Sequence, residues 1–207
     1  MAQCDWSSDV CSSDLSLRRR PQSLRNRLEF AHVVKQTTPR APLPGRKGQD
    51  GGMADLRDTI HIDAPAPLVY DLVSDLTRMG EWSPECERVS WRGGATEAVK
   101  GAQFVGYNRR GTLRWITFGK VTAAEKGRHL AFDVFIGPAA ISHWEYFIVP
   151  DVDGPGCTVA EEWTDRRAAA SRAISERILG DRRSLNKSGI RQTLAALKRS
   201  AEGQHHR

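Results

Sequence analysis

From Met53 onward the sequence predicts an α+β domain in which a curved, seven-stranded antiparallel sheet wraps around a long C-terminal helix. Three observations predict it. Segments of period two follow one another in a series instead of alternating with helices, which favours antiparallel pairing. Helical spacing interrupts that series only once, directly after the first strand. The chain then closes on a proline-free amphipathic stretch long enough to lie across the whole sheet.

The elements follow in order. Thr59-Ile60-His61-Ile62-Asp63 alternates apolar and polar residues, as a half-buried strand does, and Ala64-Pro65-Ala66-Pro67 stops it. Leu68, Val69, Leu72, Val73 and Leu76 then recur at helical spacing. Pro67 suits the first turn of that helix, where a missing N–H leaves nothing unpaired. The breakers in Met79-Gly80-Glu81-Trp82-Ser83-Pro84 end the helical region, which we read as two short helices. Strands are expected at Arg88–Trp91, Gln103–Arg109, Leu113–Val121, His129–Phe135, Ile141–Val149 and Cys157–Thr164. Gly93-Gly94, Arg110-Gly111, Lys126-Gly127, Gly137-Pro138 and the segment 151–156 supply the turns of a hairpin meander. A short helix around Ala168–Leu179 breaks near Gly180. From about Asp181 to Glu202, Leu185, Gly189, Ile190, Thr193, Leu194 and Leu197 form one stripe at steps of three and four. Residues 204–207 are expected to be a frayed tail, which gives a domain over 53–203.

Composition narrows the possibilities. With 39% hydrophobic and 27% charged residues the chain is ordinary for a globular protein. Its net charge of +6 is concentrated outside the domain: 9 Lys/Arg and 5 Asp/Glu precede Met53, against 22 and 20 from Met53 onward. A near-neutral domain argues against a nucleic-acid partner. No run approaches the roughly 20 apolar residues of a membrane span, and no secretory signal is visible, so the cytoplasm is the expected location. Cys4, Cys11, Cys86 and Cys157 form neither a CxxC pair nor a Cys/His cluster of zinc spacing. Phosphate-loop, dinucleotide and metalloprotease motifs are also missing, so neither a metal nor a cofactor is expected.

Residues 1–52 are rich in Ser, Arg, Pro and Gly and show no sustained period, as in a disordered extension. Within them, Asp5-Trp6-Ser7-Ser8-Asp9-Val10-Cys11-Ser12-Ser13-Asp14-Leu15 reads as the in-frame translation of a common sequencing adapter. We therefore read this extension as an assembly and upstream-translation artefact and expect the natural start at Met53.

The domain resembles the START/Bet v 1-like (SRPBCC) superfamily, which includes polyketide cyclase/dehydrase-like proteins. Ile60-x-Ile62-x-Ala64-Pro65-x-x-x-Val69-Tyr70-x-x-Val73-Ser74-Asp75 is similar to its opening strand and helix. Glu81-Trp82-Ser83-Pro84-Glu85-Cys86 is similar to its loop at a cavity mouth. Gly101-x-x-Phe104-x-Gly106-x-Asn108-Arg109 and Arg114-Trp115-x-Thr117 are similar to its central hairpin, and Asn186-x-x-Gly189-x-x-x-Thr193-Leu194-x-x-Leu197-Lys198 to its last helix. The resemblance implies a helix-grip fold with a hydrophobic cavity. It does not fix an activity.

Strand alternation assigns the faces. Ser142, Trp144 and Tyr146 share one face of their strand, placed inward, which sends His143 and Glu145 toward solvent. Phe132 points in and Asp133 out. Trp115 and Thr117 go in, Phe104 and Asn108 share a face with Gly106, and Glu161 lies between Val159 and Trp163. Apolar walls with a few polar groups suit a ligand pocket; a filled core with satisfied polar tips is the alternative. Trp82 and Glu85 are candidates to cap the cavity or, equally, packing residues of their loop. Glu161 is the candidate ligand anchor or acid–base group, because a carboxylate there is costly to desolvate; a structural hydrogen bond to Asn108, Tyr146 or water is the alternative. The runs Arg109-Arg110, Arg166-Arg167 and Arg182-Arg183 are read as solvated surface.

Three functions follow. The first is binding of a small apolar molecule, lipid or polyketide-like, by the residues just named. The second is a cyclase or dehydratase-like enzyme with Glu161 and Tyr146 as catalytic candidates and Asn108 orienting a carbonyl. The third is a partner-binding regulatory protein, for which the sequence shows no obvious exposed apolar patch.

Overall fold

A computed structural model describes residues 53–206; the expectations for residues 1–52 lie outside the described residues. Strand β1 (Leu56–Ile62) leads through Pro65 into helix α1 (Ala66–Ser74), with proline in the first turn as the sequence predicts. Val69, Leu72 and Val73 bury one face of α1. A short 3-10 helix (Leu76–Glu81) follows, opened by the Asp75 side chain accepting from the Thr77 N–H. Six strands come next: β2 (Cys86–Arg92), β3 (Gln103–Arg110), β4 (Leu113–Glu125), β5 (His129–Ile136), β6 (Ala139–Pro150) and β7 (Cys157–Asp165). Helices α2 (Ala169–Leu179) and α3 (Arg182–His205) close the chain.

The sheet order is β1-β7-β6-β5-β4-β3-β2, with every pair antiparallel. Hairpins account for the run from β2 to β7, and β1 returns to pair with β7 at the far edge. Register shifts at Cys86/Arg88, Val121/Ala123 and Val134/Phe135 bend the sheet, as an unpaired extra residue does. The strands outrun the sequence expectation by a few residues. Cross-strand pairing extends them, since Leu56 meets Trp163 and Glu125 meets His129.

Helix α3 has 24 residues and runs on to His205, past the expected end at Glu202. It is tied along β1 by polar contacts: Arg191 Nε donates to Asp58, Lys198 Nζ to the His61 carbonyl, and Glu202 accepts from the Asp63 N–H. Its buried face carries Ile190, Leu194, Leu197 and Ala201, which pack with Ile62, Val69 and Val159 in the main core. That core continues into the cavity walls through Phe104, Phe132, Tyr146 and Trp163. The N-terminal half of α3 lines the cavity with Arg182, Leu185, Asn186, Gly189 and Thr193.

Helix α2 differs. None of its described side chains is buried, and Ile174 and Ile178 are 63% and 69% exposed. It therefore carries an exposed apolar pair that the reading from sequence did not anticipate.

Candidate functional site

A cavity of about 360 Å3 lies between the concave face of the sheet and α3, within the size range of small-molecule sites. Alternation builds its walls. Directly paired residues of antiparallel strands point to the same side, and the register pairs Trp144 with Phe132 and Trp163, Tyr146 with Glu161, Asn108 with Trp115, and Gly106 with Thr117. Phe104, Asn108, Trp115, Thr117, Phe132, Ser142, Trp144, Tyr146, Glu161 and Trp163 all line this space, and Glu85 stands at its mouth. Trp82 does not line it. Its ring is buried in the core, with the Arg78 guanidinium 5.6 Å from its centroid.

Two glycines let the walls close. A Cβ at Gly119 would sit 2.0 Å from Cζ of Phe104, so only glycine lets that ring lie flat across β4. Phe104 then packs edge-on against Trp91 and Phe132, with centroids 6.1 and 5.5 Å away. A Cβ at Gly106 would come 2.9 Å from Thr117 Oγ1. With hydrogen there instead, Asn108 Nδ2 donates to both Thr117 Oγ1 and the Gly106 carbonyl at 3.2 Å. Trp144 Nε1 donates to Ser142 Oγ at 3.1 Å.

Glu161 is the most deeply placed polar group, 2% exposed. The Tyr146 hydroxyl donates to its Oε1 at 2.8 Å, one of the partners considered from the sequence, while Oε2 is buried with no hydrogen-bond partner. Burial pushes the Glu161 carboxyl up to about 8, against the pull of the Tyr146 bond and with a small push from the charge of Asp58. Burial, and then Glu161 itself, pushes the Tyr146 phenol well above its ordinary value. Near neutral pH the pair is therefore uncharged: a carboxylic acid beside a phenol.

The mouth is held by ion pairs. Arg182, the first residue of α3, donates from both terminal nitrogens to Glu85 at 2.9 and 2.8 Å and also reaches Asn186 Oδ1. This fork joins the loop before β2 to the start of α3. Arg167 forms a second fork on Asp165 and donates to Ser175 Oγ at 2.6 Å, which tethers α2 at the rim. Both arginines were read as solvated surface. Instead both are largely buried, with side chains 9% and 17% exposed for Arg167 and Arg182 respectively. Sequence did hold a signal. Arg182, Asn186, Gly189 and Thr193 recur at helical steps, and all four line the cavity. Cys86 also lines it, with a thiol that burial pushes up to about 11, too high for a nucleophile at neutral pH.

The outer face holds a second correction. His143 and Glu145 do lie opposite Trp144 and Tyr146, yet they are not solvated, and Glu145 is 7% exposed. His129 Nε2 lies 3.1 Å from Glu145 Oε1, His143 Nε2 3.6 Å from its Oε2, and His143 Nδ1 2.7 Å from Asp133. Cross-strand neighbours on one face of a sheet shield each other, an effect that alternation alone does not count. Among the described residues, no group of three or more His, Cys, Asp or Glu side chains is arranged to hold a metal ion, and no helix is long and apolar enough to cross a membrane.

Comparison with known proteins bears on the family and the fold. The family profile described as polyketide cyclase / dehydrase and lipid transport matches residues 53–202. No curated protein is significantly similar in sequence. Among solved structures, the chain is similar to StfQ, a di-domain ARO/CYC from the steffimycin biosynthetic pathway, with a TM-score of 0.54 and 18% identity over 73% of this chain and 46% of that one. It is similar to the di-domain ARO/CYC BexL, with a TM-score of 0.52 and 19% identity over 71% of this chain and 46% of that one. It is also similar to protein NE0264 from Nitrosomonas europaea, with a TM-score of 0.51 and 12% identity over 74% and 97%. The chain thus spans about half the length of the two di-domain proteins, and all three share its fold. With a helix-grip sheet, a cavity beneath the last helix and a profile match across residues 53–202, this chain belongs to the polyketide cyclase/dehydrase and lipid transport family.

Proposed function

We propose that the domain binds a small apolar molecule, a lipid or polyketide-like compound, in the cavity beneath α3. One observation carries this reading. Packed cores leave few voids larger than a water molecule, whereas this domain keeps about 360 Å3 walled by Phe104, Trp115, Phe132, Trp144 and Trp163.

Gly189 provides the test. It lines the cavity from α3, and an added Cβ there meets only Pro84 Cγ, at an ordinary 3.6 Å. Leucine at this position extends into the cavity and also favours the helix by about 0.8 kcal/mol. Nile red titrated into the full chain is expected to gain fluorescence with the wild type and to bind roughly ten-fold or more weakly to Gly189→Leu. Native mass spectra before and after denaturing extraction are expected to show a small-molecule adduct that only the wild type carries. Equal dye uptake by both proteins, or uptake by neither, contradicts the reading.

A second reading, acid–base catalysis of a cyclase or dehydratase type, draws its support from the Tyr146–Glu161 pair. A neutral acid and a phenol within 2.8 Å, facing one cavity, can exchange protons with a bound carbonyl. Asn108, the expected orienting group, has its amide engaged by Thr117 and Gly106. That leaves Glu161 and Tyr146 as the catalytic candidates.

A further inference from the structure

Glu161, a residue of the cavity wall, carries a carboxyl oxygen without a partner among the described residues. Glu161 Oε1 accepts from Tyr146, and Oε2, equally buried, has no hydrogen-bond partner among the described residues. Buried polar atoms almost always have a partner, so an unpaired one in a cavity wall points to a group that the cavity receives.

The surrounding charges fix what that group can be. Both arginines of the wall are matched, Arg182 by Glu85 and Asn186, and Arg167 by Asp165 and Ser175. Among the described residues lining the cavity there is no lysine and no histidine. The titratable groups that act on Glu161 are the Tyr146 phenol on β6 and Asp58 on β1, which Arg191 of α3 holds; the Cys86 thiol on β2 acts on Tyr146. Asn186 and Thr193 line the same cavity from α3 and are uncharged. A ligand carboxylate in this space would meet no free cation and would stand against an acid with no counter-charge of its own. Such burial is strongly unfavourable.

We propose, on the reading that the cavity binds a small apolar molecule, that the free Oε2 edge of Glu161 acts as the neutral acid that recognises an uncharged oxygen acceptor such as a ketone, and that the cavity rejects carboxylate-bearing ligands. The acid hydrogen on Oε2 is the donor, Tyr146 holds Oε1 and so fixes the plane of the carboxyl group, and the aromatic walls take the apolar body. Burial keeps the proton on Glu161 up to about pH 8, which sets the range over which the donor exists.

The test uses the full chain and three probes of one shape: acetylnaphthalene, ethylnaphthalene and naphthoate, substituted at the same ring carbon and titrated by tryptophan fluorescence at about pH 6 and about pH 9. The ketone is expected to bind wild type roughly ten-fold or more tightly than its ethyl analogue at the lower pH, the size of one buried hydrogen bond made or lost. That preference is expected to disappear at the higher pH. Glu161→Gln keeps an N–H donor at every pH, so its ketone preference is expected at both; Glu161→Leu is expected to show none at either. Naphthoate is expected to bind at least ten-fold more weakly than the ketone throughout. Equal binding of ketone and ethyl probes to wild type at the lower pH, or tighter binding of naphthoate, overturns the proposal and leaves the cavity reading standing. Binding of none of the three overturns the cavity reading and the proposal with it.

Discussion

Glu145 and Glu161 sit on neighbouring strands, both almost sealed from water, and their carboxyl groups titrate at opposite ends of the range. Burial pushes both up. On the outer face, hydrogen bonds and charge from His129 and His143 outweigh it and bring Glu145 down to about 2. On the cavity face the only partner among the described residues is a phenol, and Glu161 stays at about 8. The difference shows what the two faces of one sheet are for. The outer face sets His129 and His143 against Glu145, and Arg57 against Glu162. The cavity face leaves an uncharged donor with one side free.

The largest expected consequence is in stability against pH, where the two groups work with opposite sign. Glu161 is raised from 4.5, so between about pH 4.5 and about pH 8 the folded chain keeps a proton that the unfolded chain has released. Its contribution to stability therefore falls as pH rises through that window. Glu145 is lowered from 4.5 to about 2, so its contribution is present above about pH 4.5 and lost as pH falls toward 2. The unfolding free energy of the wild type, read from urea titrations, is expected to fall from about pH 5 to about pH 8, by an amount on the order of a few kcal/mol. His143 adds to that fall at the upper end: its neighbours Glu145 and Asp133 outweigh burial and raise it, so its stabilisation is full below about 6.5 and lost as pH rises through its folded value. Glu161→Gln is expected to reduce the slope throughout that window and to leave the parts that come from Glu162 and His143, whose values are also raised. An unchanged slope in that variant breaks the comparison.

Smaller effects sharpen it. His143→Leu leaves Glu145 and Asp133 each short of a partner, and removing one member of a buried ionic cluster is expected to cost about 2 kcal/mol in urea unfolding at about pH 6. The paired change Glu161→Leu with Tyr146→Phe removes donor and acceptor together. It is expected to lie within about 1 kcal/mol of wild type, or to be more stable, because replacing both partners by apolar groups leaves nothing unsatisfied. A large loss there would mean that the cavity pair is structural in the way the outer cluster is.

Much of this was legible in the sequence, and the reasons are local. Period-two alternation put Trp144, Tyr146 and Glu161 on the inner face, and Gly137-Pro138 and the segment 151–156 marked hairpins that bring their strands together. That Tyr146 meets Glu161 was only one of several possibilities, because the pairing depends on the register set from Pro150↔Cys157 onward. The mouth was harder to read. Arg182 finds Glu85 from 97 residues away, and no local pattern encodes that meeting. The burial of Glu145 was missed for a related reason. Alternation gives the face, but exposure on that face depends on cross-strand neighbours such as His129, which only the register supplies. Trp82, read as a possible cap, turns into the core because the 3-10 helix before it brings the loop around.

The account turns on the state of one carboxyl group facing the cavity, and the most direct measurement is an NMR pH titration of the glutamate side-chain carboxyl carbons, with the Glu161 signal assigned by its loss in Glu161→Gln. The account predicts a midpoint near 8 for Glu161, in the same protein whose Glu145 signal stays ionised down to about pH 2. A Glu161 midpoint at or below the ordinary carboxyl value of 4.5 would contradict it, because the cavity would then hold an anion and not a donor.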